Sequence, residues 1–277
     1  DGGGAYLEAN SKLQNCVFEY CQSEYGGAVF AEGTEFENCV FRNNSSLQSG
    51  GAVYMWNEGR FVNCLFTNNE ATFGGAGSVD RAVFLNCVFR NNTASTSGGA
   101  VYVWNGQLVN CLLANNQAQF GGAIYADGRV SEYGYTGGEF INCDIVSNVA
   151  TYRGGGICNS DTGGTFTNCI VWGNKLNSVP DQVYSNGTFT YCAVESGISG
   201  ETNISLSSQN EGEDYLHPRF VNPSEAGLND NAENADKAKA KILDNVATLR
   251  SAGGSIGPAV TAELLALGIN INENAQA

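Results

Sequence analysis

Two tryptophans and two aspartates carry the most suggestive chemistry in this chain. Trp56, Asp80, Trp104 and Asp127 each stand six residues beyond the first glycine of a Gly-Gly pair. Two positions earlier in the same frames stand Tyr54, Ser78, Tyr102 and Tyr125, and Arg81 follows Asp80 directly. Flat aromatic rings suit the apolar faces of pyranose sugars, and carboxylates accept hydrogen bonds from sugar hydroxyls. The expected ligand-binding set is therefore Tyr54, Trp56, Asp80, Arg81, Tyr102, Trp104, Tyr125 and Asp127, facing a polysaccharide or a surface glycan. Two acids at a fixed separation also suit general acid and base chemistry, so Asp80 and Asp127 are the expected catalytic pair if the chain is an enzyme. A third reading needs no ligand at all: aromatics on a sheet face stack on one another or meet a neighbouring domain.

Other chemistries find little to work with. His217 is the single histidine and no Cys-x-x-Cys pair occurs, which disfavours zinc and the Ser-His-Asp and Cys-His schemes. Metal is not expected, although the outward acids leave calcium open. Lys plus Arg total 13 against 28 Asp plus Glu, a net charge of −15. Nucleic acid and anionic membranes both require a basic surface, so neither is an expected partner. No apolar run approaches the roughly 18 residues of a membrane span. Asp1-Gly2-Gly3-Gly4 already belongs to the repeat described next, so the chain is expected to be a mature protein or part of a longer one.

What positions these residues is a repeat. The first glycines of the Gly-Gly pairs fall at Gly3, Gly26, Gly50, Gly74, Gly98, Gly121 and Gly154. Asparagine-cysteine pairs keep step at Cys16, Cys39, Cys64, Cys87, Cys111, Cys143 and Cys169, with Tyr191-Cys192 as a worn eighth copy. Five residues past each cysteine stand Cys21, then Asn44, Asn69, Asn92, Asn116, Asn148 and Asn174. A period near 24 with short β-type runs and no helical pattern predicts a solenoid. Stacked coils bring equivalent residues roughly 4.8 Å apart, so Trp56 and Trp104 are expected about 9.6 Å apart with Asp80 between them. Asp80 and Asp127 are expected at a similar spacing. Each coil is read as one strand after the glycines and a second across the cysteine, as in Phe61 to Phe66.

Strand alternation then sorts the faces. Val29, Val53, Val101, Ile124 and Ile157 are expected inside, with Ala31, Met55, Val79, Val103 and Ala126. The cysteine ladder is expected to be buried free thiols, with only Cys158 placed outward and reactive. Between Gly121 and Cys143 the coil is about nine residues too long, so 129–138, with Glu132, Tyr133 and Tyr135, is expected to loop out as a wall beside the outward face.

The Gly121-Gly122-Ala123-Ile124 and Phe41-Arg42-Asn43-Asn44 stretches resemble the polymorphic outer-membrane protein repeat. The chain is also similar to right-handed β-helix proteins of gut Bacteroidetes, in which a stretch such as Phe220-Val221-Asn222-Pro223 closes the repeats. The resemblance implies a right-handed parallel β-helix over residues 1–223, of about seven to eight coils, on the bacterial surface or outside the cell. Such helices carry adhesins, lyases and glycosidases alike. The Asn-Thr-Asp, Gly-His-Gly and Arg-Ile-Lys motifs of galacturonase-like members are absent.

Residues 224–277 are expected to form a short α-helical cap or tail, with helices over 231–250 and 258–267 around Gly253-Gly254 and Pro258. The leading expectation is a non-catalytic adhesin-like or glycan-binding protein. The alternatives are a polysaccharide lyase or glycoside hydrolase, and a passive spacer between further domains of one protein.

Overall fold

The computed structural model describes residues 2–128, 136–161, 163–184, 187–195 and 204–206. Within them the chain winds into a parallel β-solenoid of about eight coils. One coil shows the plan. From the Gly50-Gly51 corner the chain runs through Val53–Trp56, bends, and continues through Gly59–Val62. It turns at Asn63-Cys64 into Leu65–Thr67, turns again at Asn68-Asn69 into Glu70–Phe73, and reaches the next glycine corner. The first two pieces stack coil on coil into a first sheet, the third pieces into a second sheet and the fourth into a third.

The expected strand across the cysteine is therefore corrected: it is broken at a corner, and the coil has a third side that the sequence reading did not separate. The reason is local. Asn63 takes φ 53°, as do the asparagines before the other cysteines within a few degrees, and this left-handed conformation turns the chain. Asparagine tolerates it better than most residues do.

The Gly-Gly corner needs both of its glycines, for different reasons. Gly74 takes φ 62°, and its counterparts from Gly26 to Gly154 lie between 58° and 69°. Gly75 is not left-handed, but a Cβ there would lie 2.2 Å from the Gly99 carbonyl oxygen of the next coil. One glycine makes the turn and the other admits the neighbouring backbone.

Inside, like packs on like. Phe18, Phe41, Phe66 and Phe89 stack along the second sheet, and Phe36, Phe61 and Phe84 along the first, with centroids 4.6–5.1 Å apart. The residues expected inward after the glycines are fully buried. The asparagine ladder is closed on itself. Asn69 donates its amide hydrogens to Asn92 Oδ1 (2.9 Å) and to the Phe41 carbonyl (3.0 Å). Its own Oδ1 accepts from the Asn44 backbone N–H (3.1 Å) and side chain (3.0 Å). Gln182 ends the ladder by accepting from Asn174 and donating to Glu195.

All ten described cysteines are free thiols. Burial pushes Cys87 and Cys143 well above the usual thiol range. The insertion at 129–138 is described only from residue 136, and the C-terminal helices and His217 lie outside the described residues.

Candidate functional site

Stacking sets the aromatic column as far as the fourth position. Phe30 faces Tyr54, Tyr54 faces Ser78, Ser78 faces Tyr102, and Tyr102 faces Tyr125. The rings of Phe30 and Tyr54 stack at 5.2 Å, and those of Tyr102 and Tyr125 at 4.9 Å. Two further aromatics reach over the glycine corner from the third sheet, Tyr25 edge-on to Tyr54 and Phe73 edge-on to Tyr102.

Two positions further on, the expected column fails. Three residues separate Met55 from Gly59, but only two separate Val79 from Ala82 and Val103 from Gly106, although the flanking residues are in register. The extra residue of that third coil and a shift in the fifth destroy the vertical line. Asp80 pairs with Asn105 rather than Trp104, and accepts a hydrogen bond from the Asn105 amide at 3.0 Å. Trp104 bulges out of register. Its ring contacts Tyr102 (5.0 Å) and crosses to Tyr54 (6.4 Å), the two residues on either side of Ser78, which is fully buried. Trp104 is half-buried, an element of an aromatic wall more than a free platform.

The acids are not exposed as outward ligand contacts would be. Asp80 is 8% exposed and Asp127 is not exposed at all. Asp127 accepts hydrogen bonds from the Tyr102 phenol and from Ser160 Oγ at 2.9 Å. The outward but buried Cys158 is a further correction. It is 4% exposed, and burial pushes its thiol up to about 12, so it is not poised as a nucleophile.

Of the eight expected site residues, Trp56 and Arg81 are well exposed, Trp56 at 49%; Tyr54, Trp104 and Tyr125 are half-buried; Asp80, Tyr102 and Asp127 are buried. The two exposed residues lie beside a feature that the faces read from the glycines did not reveal. At the bend of the first sheet an open groove of about 910 Å³ runs along the solenoid. Successive coils contribute Asn10, then Glu32 and Glu35, then Asn57 and Arg60, then Arg81, then Asn105 and Gln107, and finally Thr136 and Glu139. Six coils are five rises, about 24 Å of length.

The groove wall is a ladder of polar pairs. Asn57 donates to Glu32 (2.8 Å), Gln107 to Glu139 (2.7 Å), and the Thr136 hydroxyl to Asn105 (3.0 Å); Lys12 and Arg60 flank Glu35 at 3.2 and 3.5 Å. The bend positions Asn10, Gly33 and Asn57 are left-handed, and so is Arg81 at φ 56°. For arginine that conformation costs on the order of 1 kcal/mol or more, and it holds the guanidinium at the groove. A signal for the groove exists in the sequence: Glu35, Arg60, Gln107 and Glu139 each precede an inward Phe or Leu and so must face out.

Among the described residues no group of three or more His, Cys, Asp or Glu is placed to hold a metal ion. No described helix is long and apolar enough to cross a membrane. Comparison with known proteins identifies residues 1–133 with the family model described as right handed beta helix region. No curated protein and no solved structure matches the chain.

Proposed function

From the premise that this chain is a right-handed β-helix repeat protein, we propose that it binds an extended glycan non-catalytically, in the groove at the bend of its first sheet. The observation that carries this reading is the groove itself: about 24 Å long, lined with carboxylates, amides and two arginines, and including Asn57, next in sequence to the exposed Trp56. A linear polymer lying along the solenoid axis meets equivalent groups at each coil. Sugar hydroxyls find acceptors in Glu32, Glu58 and Glu139 and donors in Arg60 and Arg81, while the Trp56 ring offers an apolar face. Trp56 stacks on Tyr54 at 12° between planes, which orients it without burying it.

The proposal moves the ligand from the aromatic column to the groove beside it, retaining Trp56 and Arg81 as contacts. Tyr54, Tyr102, Trp104 and Tyr125 then support Trp56, and Asp80 and Asp127 hold the bend together through Asn105, Tyr102 and Ser160. The outer-surface or extracellular setting rests on the resemblance of the repeat, with adhesion as the role. The test is titration of hexasaccharides of glucose, xylose, mannose and galacturonic acid against the full chain, Trp56→Ala and Arg81→Ala. Binding lost in both variants supports the groove; no binding to any probe, or equal binding by all three proteins, removes it.

A further inference from the structure

A second pocket, sharing no residue with the groove, lies on the outer face of the second sheet. It holds about 450 Å³, within the range of small-molecule sites. At its centre is Thr67, which the register places between Arg42 of the preceding coil and Arg90 of the next. Each of the three follows an inward phenylalanine (Phe41, Phe66 or Phe89), so alternation turns it outward. Arg42 and Arg90 are two rises apart, roughly 9.6 Å along the sheet. In a chain of net charge −15, two arginines on one short strip reverse the local sign. Their situations differ. Arg42 Nε donates to Glu19 Oε2 at 2.6 Å, which offsets the pocket's one carboxylate. Arg90 forms no ion pair among the described residues, and its Nε is shielded from water without an acceptor. The asparagines at the pocket's edge are spare as well. Asn38, Asn63, Asn86 and Asn110 turn the preceding corner with φ 53–54°, and their amides bond from coil to coil. Asn43, Asn68 and Asn91 turn this one with φ 55–56°, but among the described residues their amides form no such ladder.

We propose that this pocket binds an oxyanion carried on a sugar, a uronic acid or a sugar sulfate, with Arg90 as the principal charge. The site is independent of the groove and of the groove's ligand. A guanidinium takes a carboxylate or sulfate through two parallel hydrogen bonds, and Arg42 and the Thr67 hydroxyl add donors on the same strip. Turning towards a bound oxyanion gives the Arg90 Nε the acceptor it lacks, so binding satisfies a donor that is otherwise unpaired. The rest of the pocket suits the sugar that carries the charge. The asparagine amides both donate and accept, as sugar hydroxyls do, and Leu65 and the well exposed Tyr20 offer apolar surface to a pyranose ring.

The test titrates the full chain calorimetrically with glucuronate, sulfated glucose, glucose and inorganic sulfate. At least one of the two acidic sugars is expected to bind about tenfold or more tighter than glucose and inorganic sulfate, and the tighter of the two identifies the oxyanion. That affinity should fall about tenfold in Arg90→Gln and by a smaller factor in Thr67→Val. Trp56→Ala, which alters the groove, tells the two sites apart: a loss there equal to that in Arg90→Gln would place the acidic sugar in the groove and overturn the proposal. It is also overturned if neither acidic sugar binds, if glucose or inorganic sulfate binds as tightly as they do, or if Arg90→Gln binds like wild type. Should Arg90→Gln lose its β-sheet circular dichroism, Arg42→Gln with Glu19→Gln, which removes the second arginine together with its partner, decides instead. Weakening of several-fold supports the proposal, and unchanged affinity overturns it.

Discussion

Asp80 faces Asn105 across the coil boundary and accepts its amide at 3.0 Å, while Trp104, one residue earlier in the chain, is pushed out of register. That single offset separates two tryptophans that the repeat places in equivalent positions. Trp56 stands half in water, and Trp104 folds onto Tyr54 and Tyr102. Their roles should separate experimentally.

Trp56→Ala is expected to weaken glycan binding by about tenfold or more, the loss typical of an aromatic anchor, with a urea midpoint close to wild type. Trp104→Ala should do the reverse, lowering stability by about 1–3 kcal/mol by opening the aromatic wall. Calorimetric titration and chemical denaturation of both variants read the difference. Equal effects on both quantities would contradict the division of labour.

The buried asparagine ladder gives a sharper stability prediction. Asn92→Ala leaves the Asn69 backbone N–H and side chain without their acceptor, and the Phe66 carbonyl without its side-chain donor. Each orphaned buried group costs about 1–3 kcal/mol, so the variant should lose several kcal/mol or fail to fold. Asn43→Ala, at the same kind of corner two coils earlier and with its own side chain outside this ladder, should be milder. A ranking in the opposite order would argue against the ladder as the more important element.

Two glycines in one coil should behave oppositely. Gly75→Ala drives a methyl group to 2.2 Å from the Gly99 carbonyl oxygen, so severe destabilisation is expected. A Cβ at Gly77 meets nothing closer than 3.8 Å, and φ there is ordinary. Gly77→Ala should therefore be neutral or raise stability by up to about 1 kcal/mol through the unfolded chain. Thermal melts of the two variants suffice.

Alkaline pH should destabilise the fold in part through its thiols. Cys158 titrates near 9 in the unfolded chain but is pushed up to about 12 by burial. Its contribution is intact below pH 9 and is lost as pH rises from 9 towards 12, because the unfolded chain releases a proton that the folded one retains. The urea midpoint should fall between pH 8 and pH 10.5, and fall less in Cys158→Ala. An equal fall in both would exclude Cys158 from the effect. At pH 8 the thiol should react slowly with a disulfide reagent unless the protein is unfolded.

Much of this protein was legible in the sequence because a solenoid turns period into proximity. The Gly-Gly corners, the inward valines and phenylalanines, the asparagine ladder and the buried cysteines each depend only on a residue meeting its own counterpart one coil away. The break at Asn63-Cys64 and the third side were less visible, since short runs on either side of a corner read as one strand. The site was the hardest part. Whether Trp104 or Asn105 faces Asp80 depends on one residue more or fewer at a bend, and strand alternation converts that one-residue difference into a change of face. Asp80 is held by Asn105 and Asp127 by Tyr102 and Ser160, all on neighbouring coils, and the groove gathers residues of six coils, so neither the buried acids nor the groove is a property of any one run of residues.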